Sequence, residues 1–212
     1  MSSLENKWNK FYTKVENYCD EHNKNLPTII AVTKNRSLDE IEIAKDIGIN
    51  HFGENYANEF NLKAINFKTS KWHFIGHLQR NKVKDVVPYA EAIHTLDSLK
   101  LANKLSDYDF KKSIFIQVNI SNDPNKFGIS PELNSIKKLH EHSTQLDLNI
   151  IGLMSICKFG LTYDTTYNQF SNLVKLGQYY NLNEYSIGMS SDWQAAISAG
   201  STHIRIGSSI FG

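Results

Sequence analysis

Short apolar runs alternate with amphipathic stretches along the whole chain. Leu4, Trp8, Phe11, Tyr12, Val15 and Tyr18 recur at helical spacing, which predicts a first helix over residues 4–22. Eight strand-like runs follow, at residues 28–33, 49–53, 72–76, 92–96, 114–120, 150–156, 184–187 and 203–206. Between them the apolar positions return to a helical period, and several stretches open on capping residues. Ser37-Leu38-Asp39-Glu40 has the capping-box pattern. Asp97-Ser98-Leu99, Ser130-Pro131-Glu132 (with proline at the first helical position) and Ser190-Ser191-Asp192 offer similar starts. After Asp164, the positions Tyr167, Phe170, Leu173, Val174 and Gly177 share one helix face.

Strands separated by helical crossovers predict parallel pairing, which a doubly wound open sheet and a (β/α)8 barrel both satisfy. The count of eight, with Gly/Ser turns after the seventh and eighth strands, favours the barrel. The expected fold is therefore α/β: a single-domain (β/α)8 TIM-type barrel over residues 1–212, with an additional N-terminal helix.

Composition changes this picture little. With 212 residues, 41% of them apolar, the chain can bury one substantial core. A net charge of +1 gives no whole-chain argument for nucleic acid or a membrane surface as partner. Cys19 and Cys157 have no metal or redox spacing and are expected to be reduced thiols. The first residues lack the apolar run of a signal peptide, and no segment reaches the ~20 apolar residues of a membrane span. A cytoplasmic monomer is the expectation.

Candidate chemistry falls at the strand ends, where a barrel of this type keeps its active face. Lys34 closes the run Thr28-Ile29-Ile30-Ala31-Val32-Thr33; an amine backed by apolar chain can lose solvation and become a Schiff-base nucleophile. Asn55, after Phe52-Gly53-Glu54, is either a hydrogen-bonding group beside a ligand or a helix cap. Gly76 allows a sharp turn that brings His77 and Gln79 toward the mouth, whereas Arg80, Lys82 and Lys84 read as a solvated helix face. His94, inside a strand, reads as a satisfied core histidine rather than a general base.

Ser190, in Ser186-Ile187-Gly188-Met189-Ser190, can bind phosphate at a helix start or serve merely as its cap. Gly207 and Ser208, in Ile204-Arg205-Ile206-Gly207-Ser208, offer close backbone approach and donors for an anion. Arg205 lies between two isoleucines, where an unpaired guanidinium is costly. It either faces an aromatic ring nitrogen or pairs with a carboxylate such as Glu54 or Asp97. A reactive lysine and a phosphate cradle together suggest a phosphorylated carbonyl compound held covalently, with pyridoxal 5'-phosphate (PLP) as the candidate cofactor.

The chain resembles the pyridoxal phosphate homeostasis protein family, one-domain relatives of the alanine racemase N-terminal barrel. The resemblance rests on Ala31-Val32-Thr33-Lys34, Phe52-Gly53-Glu54-Asn55-Tyr56, Trp72-His73-Phe74-Ile75-Gly76-His77-Leu78-Gln79, Ile116-Gln117-Val118-Asn119-Ile120, Ile151-Gly152-Leu153-Met154 and Gly188-Met189-Ser190-Ser191-Asp192. The stretch from Gly200-Ser201-Thr202 to Gly212 completes it. It implies a barrel carrying PLP on Lys34, with phosphate near Ser190, Gly207 and Ser208 and with Arg205 facing the ring nitrogen. It also implies a carrier role in cofactor supply to PLP-dependent client enzymes and in amino-acid and keto-acid balance, without established turnover.

Thr33 departs from the family's usual serine, and Asn35-Arg36-Ser37 from a proline-containing stretch. Ile156-Cys157-Lys158-Phe159-Gly160 also differs from the usual loop, and the sequence closes on Phe211-Gly212 where many relatives carry a short basic tail. Two other readings remain open from the residues. One is a small amino-acid racemase, for which the second domain and second base of the racemases are not evident. The other is a cofactor-free Schiff-base aldolase or phosphosugar isomerase.

Overall fold

A computed structural model describes residues 3–212. Its strands are β1 (Thr28–Val32), β2 (His51–Glu54), β3 (Lys71–Phe74), β4 (Ala90–Leu96), β5 (Ser113–Gln117), β6 (Ile150–Met154), β7 (Glu184–Ser186) and β8 (His203–Ile206). They pair in sequence order, every neighbour parallel, and β8 returns to β1 to close the barrel. The helices are α1 (Ser3–Glu21), α2 (Leu38–Asp46), α3 (Ala57–Asn66), α4 (Val83–Val86), α5 (Leu99–Ser106), α6 (Leu133–Gln145), α7 (Tyr163–Tyr179), α8 (Trp193–Ala199) and α9 (Ser208–Phe211). Arg80–Lys82 adds a 3-10 turn before α4. None of the described helices is long and apolar enough to cross a membrane.

Alternation along each strand sorts its side chains between two cores. Outward residues such as Phe52, Trp72, Phe74, Ile93 and Ile116 join helix residues such as Ile41 and Phe60 in the main apolar cluster. Phe52 stacks on Trp72 at 5.2 Å, and Phe60 meets both Trp72 and Phe74 edge-on. Inside the barrel, Ala92, Phe115 and Met154 form a separate small cluster. The interior also holds an unusual set of polar groups beside Ile30: His73, His94, Ser186 and Arg205 are all buried there. Bulky branched side chains would be the ordinary filling.

Helix α1 seals the outside against α8 and α9. Trp193 receives Phe11 and Tyr18 edge-on, and the Tyr18 hydroxyl lies 2.7 Å from Ser198 Oγ. Ser37 and Glu40 close the expected capping box of α2, and Ser98 caps α5.

Two expected helix starts are displaced. Helix α6 begins at Leu133 with Glu132 as its cap, so Pro131 lies outside it. The chain before it is held in a loop: Ile129 bridges Val118, while the Asn119 side chain donates to the carbonyls of Asp123 and Lys126. Helix α8 is capped at Asp192, whose Oδ1 accepts from Met189 N at 2.6 Å, and Ser190 is not its cap.

Candidate functional site at the barrel mouth

The six expected binding residues come from four adjoining strand ends. Ser190 follows β7; Arg205, Gly207 and Ser208 belong to β8 and its turn; Lys34 follows β1; Asn55 follows β2. Hydrogen bonds tie these ends together. Arg205 N donates to Gly188 O at 2.9 Å, Ser209 N approaches Ser190 Oγ at 3.4 Å, and Thr33 N donates to Gly53 O at 2.9 Å. An alanine-sized side chain at Gly207 would only touch Val32, at 3.6 Å, so the backbone here is open to close approach. Ser208 is exposed and Ser190 half-buried.

Lys34 itself is exposed in a turn, not desolvated as the apolar run before it suggested. Strand β1 stops at Val32, and the turn Thr33-Lys34-Asn35-Arg36 closes with Arg36 N donating to Thr33 O at 2.9 Å. Asn35 sits at φ 60°, the left-handed region asparagine tolerates. No hydrogen bond or ion pair engages the Lys34 amine among the described residues, whereas its flanks are firmly held. Lys63 of α3, buried, donates to Thr33 O at 2.7 Å and to the carboxylates of Glu54 and Glu59. Glu59 also accepts from Asn35 N at 3.1 Å. Burial pushes the Glu59 carboxyl up, but the bonds from Lys63 and Asn35 outweigh it and leave the group below its ordinary value.

Among the described residues the guanidinium of Arg205 reaches no carboxylate, which overturns the ion pair with Glu54 or Asp97. Glu54 is taken by Lys63, and Asp97 Oδ2 lies 3.2 Å from His77 Nδ1. Arg205 instead donates to Ser186 O, to Ser186 Oγ at 2.7 Å and to Ser155 O at 2.9 Å. Burial lowers its pKa to about 10, so it remains a cation at neutral pH. Beyond Ser186 runs a column of imidazoles: His94 Nδ1 lies 2.8 Å from Ser186 Oγ, His94 Nε2 is 2.9 Å from His73 Nδ1, and His73 Nε2 is 2.9 Å from His51 Nδ1. His94, as expected, is a satisfied core residue. Burial holds His73 and His94 well below the ordinary histidine value, and His203 beside them is lowered to about 4.

Across the mouth, His77 stacks on Phe127 with centroids 3.8 Å apart and rings 10° from parallel. Both line a cavity of about 420 Å³ shared with Asn55, Gly76 and Gln79. Arg80 and Lys84 are exposed, in keeping with a solvated face. Asn55 Oδ1 is buried with no donor among the described residues, and so is Gln117 Oε1 on β5. An orphaned acceptor at the mouth is what a bound polar ligand would satisfy. Sequence reasoning missed Lys63: it stands four residues after Glu59 on α3, a spacing that reads as an ordinary surface pair. Cys19 and Cys157 are both free and buried.

No protein-family model matches the chain. The pyridoxal phosphate homeostasis protein of Mus musculus is 37% identical over 209 residues, spanning 88% of this chain and 76% of the relative. That of Buchnera aphidicola (subsp. Baizongia pistaciae) is 34% identical over 223 residues, spanning 100% and 99%. The chain belongs to the pyridoxal phosphate homeostasis protein family.

Solved structures agree with that membership. PipY of Synechococcus elongatus PCC7942, solved with PLP bound, superposes with a TM-score of 0.84 at 29% identity, covering 99% of this chain and 100% of PipY. Alanine racemase of Clostridium difficile 630 superposes with a TM-score of 0.73 at 13% identity, covering 92% of this chain and 57% of the racemase. That likeness is one of fold alone.

Proposed function

We propose that this family member binds PLP at the barrel mouth and serves as an intracellular carrier that buffers the free cofactor and releases it to client enzymes. The observation that carries the reading is the convergence of Lys34, Asn55, Ser190, Arg205, Gly207 and Ser208 on four neighbouring strand ends, with Asn55 Oδ1 lacking a protein donor. The relationship to PipY, which was solved with PLP bound, supports the choice of ligand.

When bound, PLP supplies an aldehyde for amine chemistry and a ring that can act as an electron sink. The residues here divide the work of holding it. Lys34 offers an amine with no competing partner for a Schiff base. Ser190, Gly207 and Ser208 offer hydroxyl and backbone donors to the phosphate. Asn55 Oδ1 accepts from a polar substituent. Arg205, a cation at neutral pH, would face the ring nitrogen and leave it unprotonated, which would weaken the electron sink. Weak electron withdrawal and an open mouth suit storage and release better than turnover. All six residues belong to one chain, so a monomer suffices.

Absorption spectroscopy of purified protein with added PLP, before and after hydroxylamine, tests the reading. The expected result is a visible band abolished by hydroxylamine, fixed to Lys34 by borohydride and absent in Lys34→Ala. A colourless protein, or a label on another lysine, overturns it. Loss of α-deuterium from alanine above the Lys34→Ala background would turn the reading toward a racemase.

A further inference from the structure

Lys34 is held from both sides while its own side chain is left alone. Thr33 O, on the preceding residue, accepts from Arg36 N at 2.9 Å and from Lys63 Nζ at 2.7 Å. Asn35 N, on the following residue, donates to Glu59 Oε2 at 3.1 Å, and the same oxygen accepts from Lys63 Nζ at 2.7 Å. Glu54 completes the cluster. Its Oε1 accepts from Lys63 and, at 3.0 Å, from Thr33 Oγ1, while its Oε2 accepts from Asn55 N at 2.9 Å. All three ammonium donors of Lys63 are therefore spent, and each bond ends on the turn bearing Lys34 or on a carboxylate that itself grips Thr33, Asn35 or Asn55.

We propose that Lys63, with Glu54 and Glu59, is a positioning device that fixes the backbone of Lys34 for imine formation with the aldehyde ligand; this rests on the functional reading given above. Stability alone does not account for the cluster. Lys63 and Glu54 are almost entirely buried, with side-chain exposures of 4% and 0%, and well-packed apolar residues of similar volume are often as stable as such a pair. What charged hydrogen bonds add is direction. They set the Thr33 carbonyl and the Asn35 amide at fixed points, and a site on a turn needs that support to hold its reactive atom within about 0.5 Å of the productive position. Lys63 touches neither ligand nor reacting atoms, so it acts through Lys34.

Two variants separate positioning from folding. Glu59→Ala removes the Asn35 bond from a side chain that is 32% exposed, and the double variant Lys63→Met/Glu54→Gln empties the clamp at nearly constant volume without leaving a buried carboxylate unpaired. Two quantities are measured on each: the rate of borohydride-trappable adduct formation at Lys34, and the dissociation constant for pyridoxine 5'-phosphate, which lacks the aldehyde. The expected result is trapping slowed about 10- to 100-fold with affinity for the alcohol analogue unchanged, alongside faster amide exchange at Asn35 in Glu59→Ala. Trapping at the wild-type rate in both variants overturns the inference and leaves the functional reading standing. A parallel loss of trapping and analogue binding also overturns it, in favour of a purely structural cluster. If the wild-type chain forms no adduct at Lys34, the functional reading fails and the inference with it.

Discussion

Arg205 Nη1 and Ser186 Oγ lie 2.7 Å apart, and that single hydroxyl joins a buried cation to a column of imidazoles. Arginine only donates, so Ser186 Oγ accepts from it and has one proton left to give. A fixed cation favours the polarity in which each group donates away from it. Ser186 then donates to His94 Nδ1, His94 Nε2 to His73 Nδ1, and His73 Nε2 to His51 Nδ1. Ser186→Ala takes an acceptor from Arg205 and a donor from His94 at once. It should cost about 1–3 kcal/mol of unfolding free energy. Urea denaturation at neutral pH measures this, with a lower midpoint and an unchanged slope as the expected outcome.

The same column sets a pH dependence whose sign is fixed. In the unfolded chain its histidines titrate near the ordinary value of about 6.5. In the folded chain burial keeps His73 and His94 neutral far below that, and His203 down to about 4. Within this window the unfolded state holds more protons, so stability falls as the pH drops below 6.5. Each histidine kept neutral contributes a slope of about 1.4 kcal/mol per pH unit. Glu40 and Glu59, held below their ordinary values, lose their contribution only further down, so they do not blur the range between pH 6.5 and 5. Unfolding free energies measured across that range should decline steeply. A flat profile would mean that the folded column accepts protons.

Two glycines at the mouth should respond oppositely to alanine. A Cβ at Gly76 would lie 1.8 Å from Asn55 O, a backbone collision that forces β2 and β3 apart. Gly76→Ala should be severely destabilising, by more than about 3 kcal/mol, or fail to fold. A Cβ at Gly207 meets Val32 only at 3.6 Å, an ordinary contact, and the backbone there is at φ −111°. Gly207→Ala should therefore leave the melting temperature within about 4 °C of wild type while weakening PLP binding, because the added methyl stands where backbone would approach phosphate. Thermal melts and PLP titrations of both variants check the pair.

What the sequence disclosed and what it hid follow from the range of each interaction. The eight strands were legible because both faces of a parallel barrel strand are covered and its apolar run is short and continuous. β8 matches its expected bounds at residues 203–206, whereas β5 ends at Gln117 rather than 120 because Asn119 turns the chain into the loop before α6. Helix α3 was expected after β2 with Asn55 as a candidate cap, but it opens at Tyr56 with no side-chain cap bond, so the capping signal misplaced its start. The six candidate residues stood out through local signals, a lysine after an apolar run and glycines beside serines. Lys63 and the histidine column did not: apart from Glu59, four residues from Lys63, their partners lie 9 to 92 residues away along the chain and meet only when the barrel closes.

Asn55 gives the sharpest separation between apo stability and ligand binding. Its Oδ1 is buried without a donor, so the folded chain already bears the cost of an unmet acceptor. Replacing it by alanine removes that cost and no protein hydrogen bond of the side chain. Asn55→Ala should therefore unfold at an equal or slightly higher urea concentration than wild type. Affinity for PLP should fall about 5- to 30-fold, the equivalent of one lost ligand hydrogen bond of roughly 1–2 kcal/mol. Isothermal titration of PLP beside a urea melt reads both quantities on the same sample. Unchanged affinity would remove Asn55 from the site, and a clear loss of apo stability would mean that its amide is already engaged within the protein.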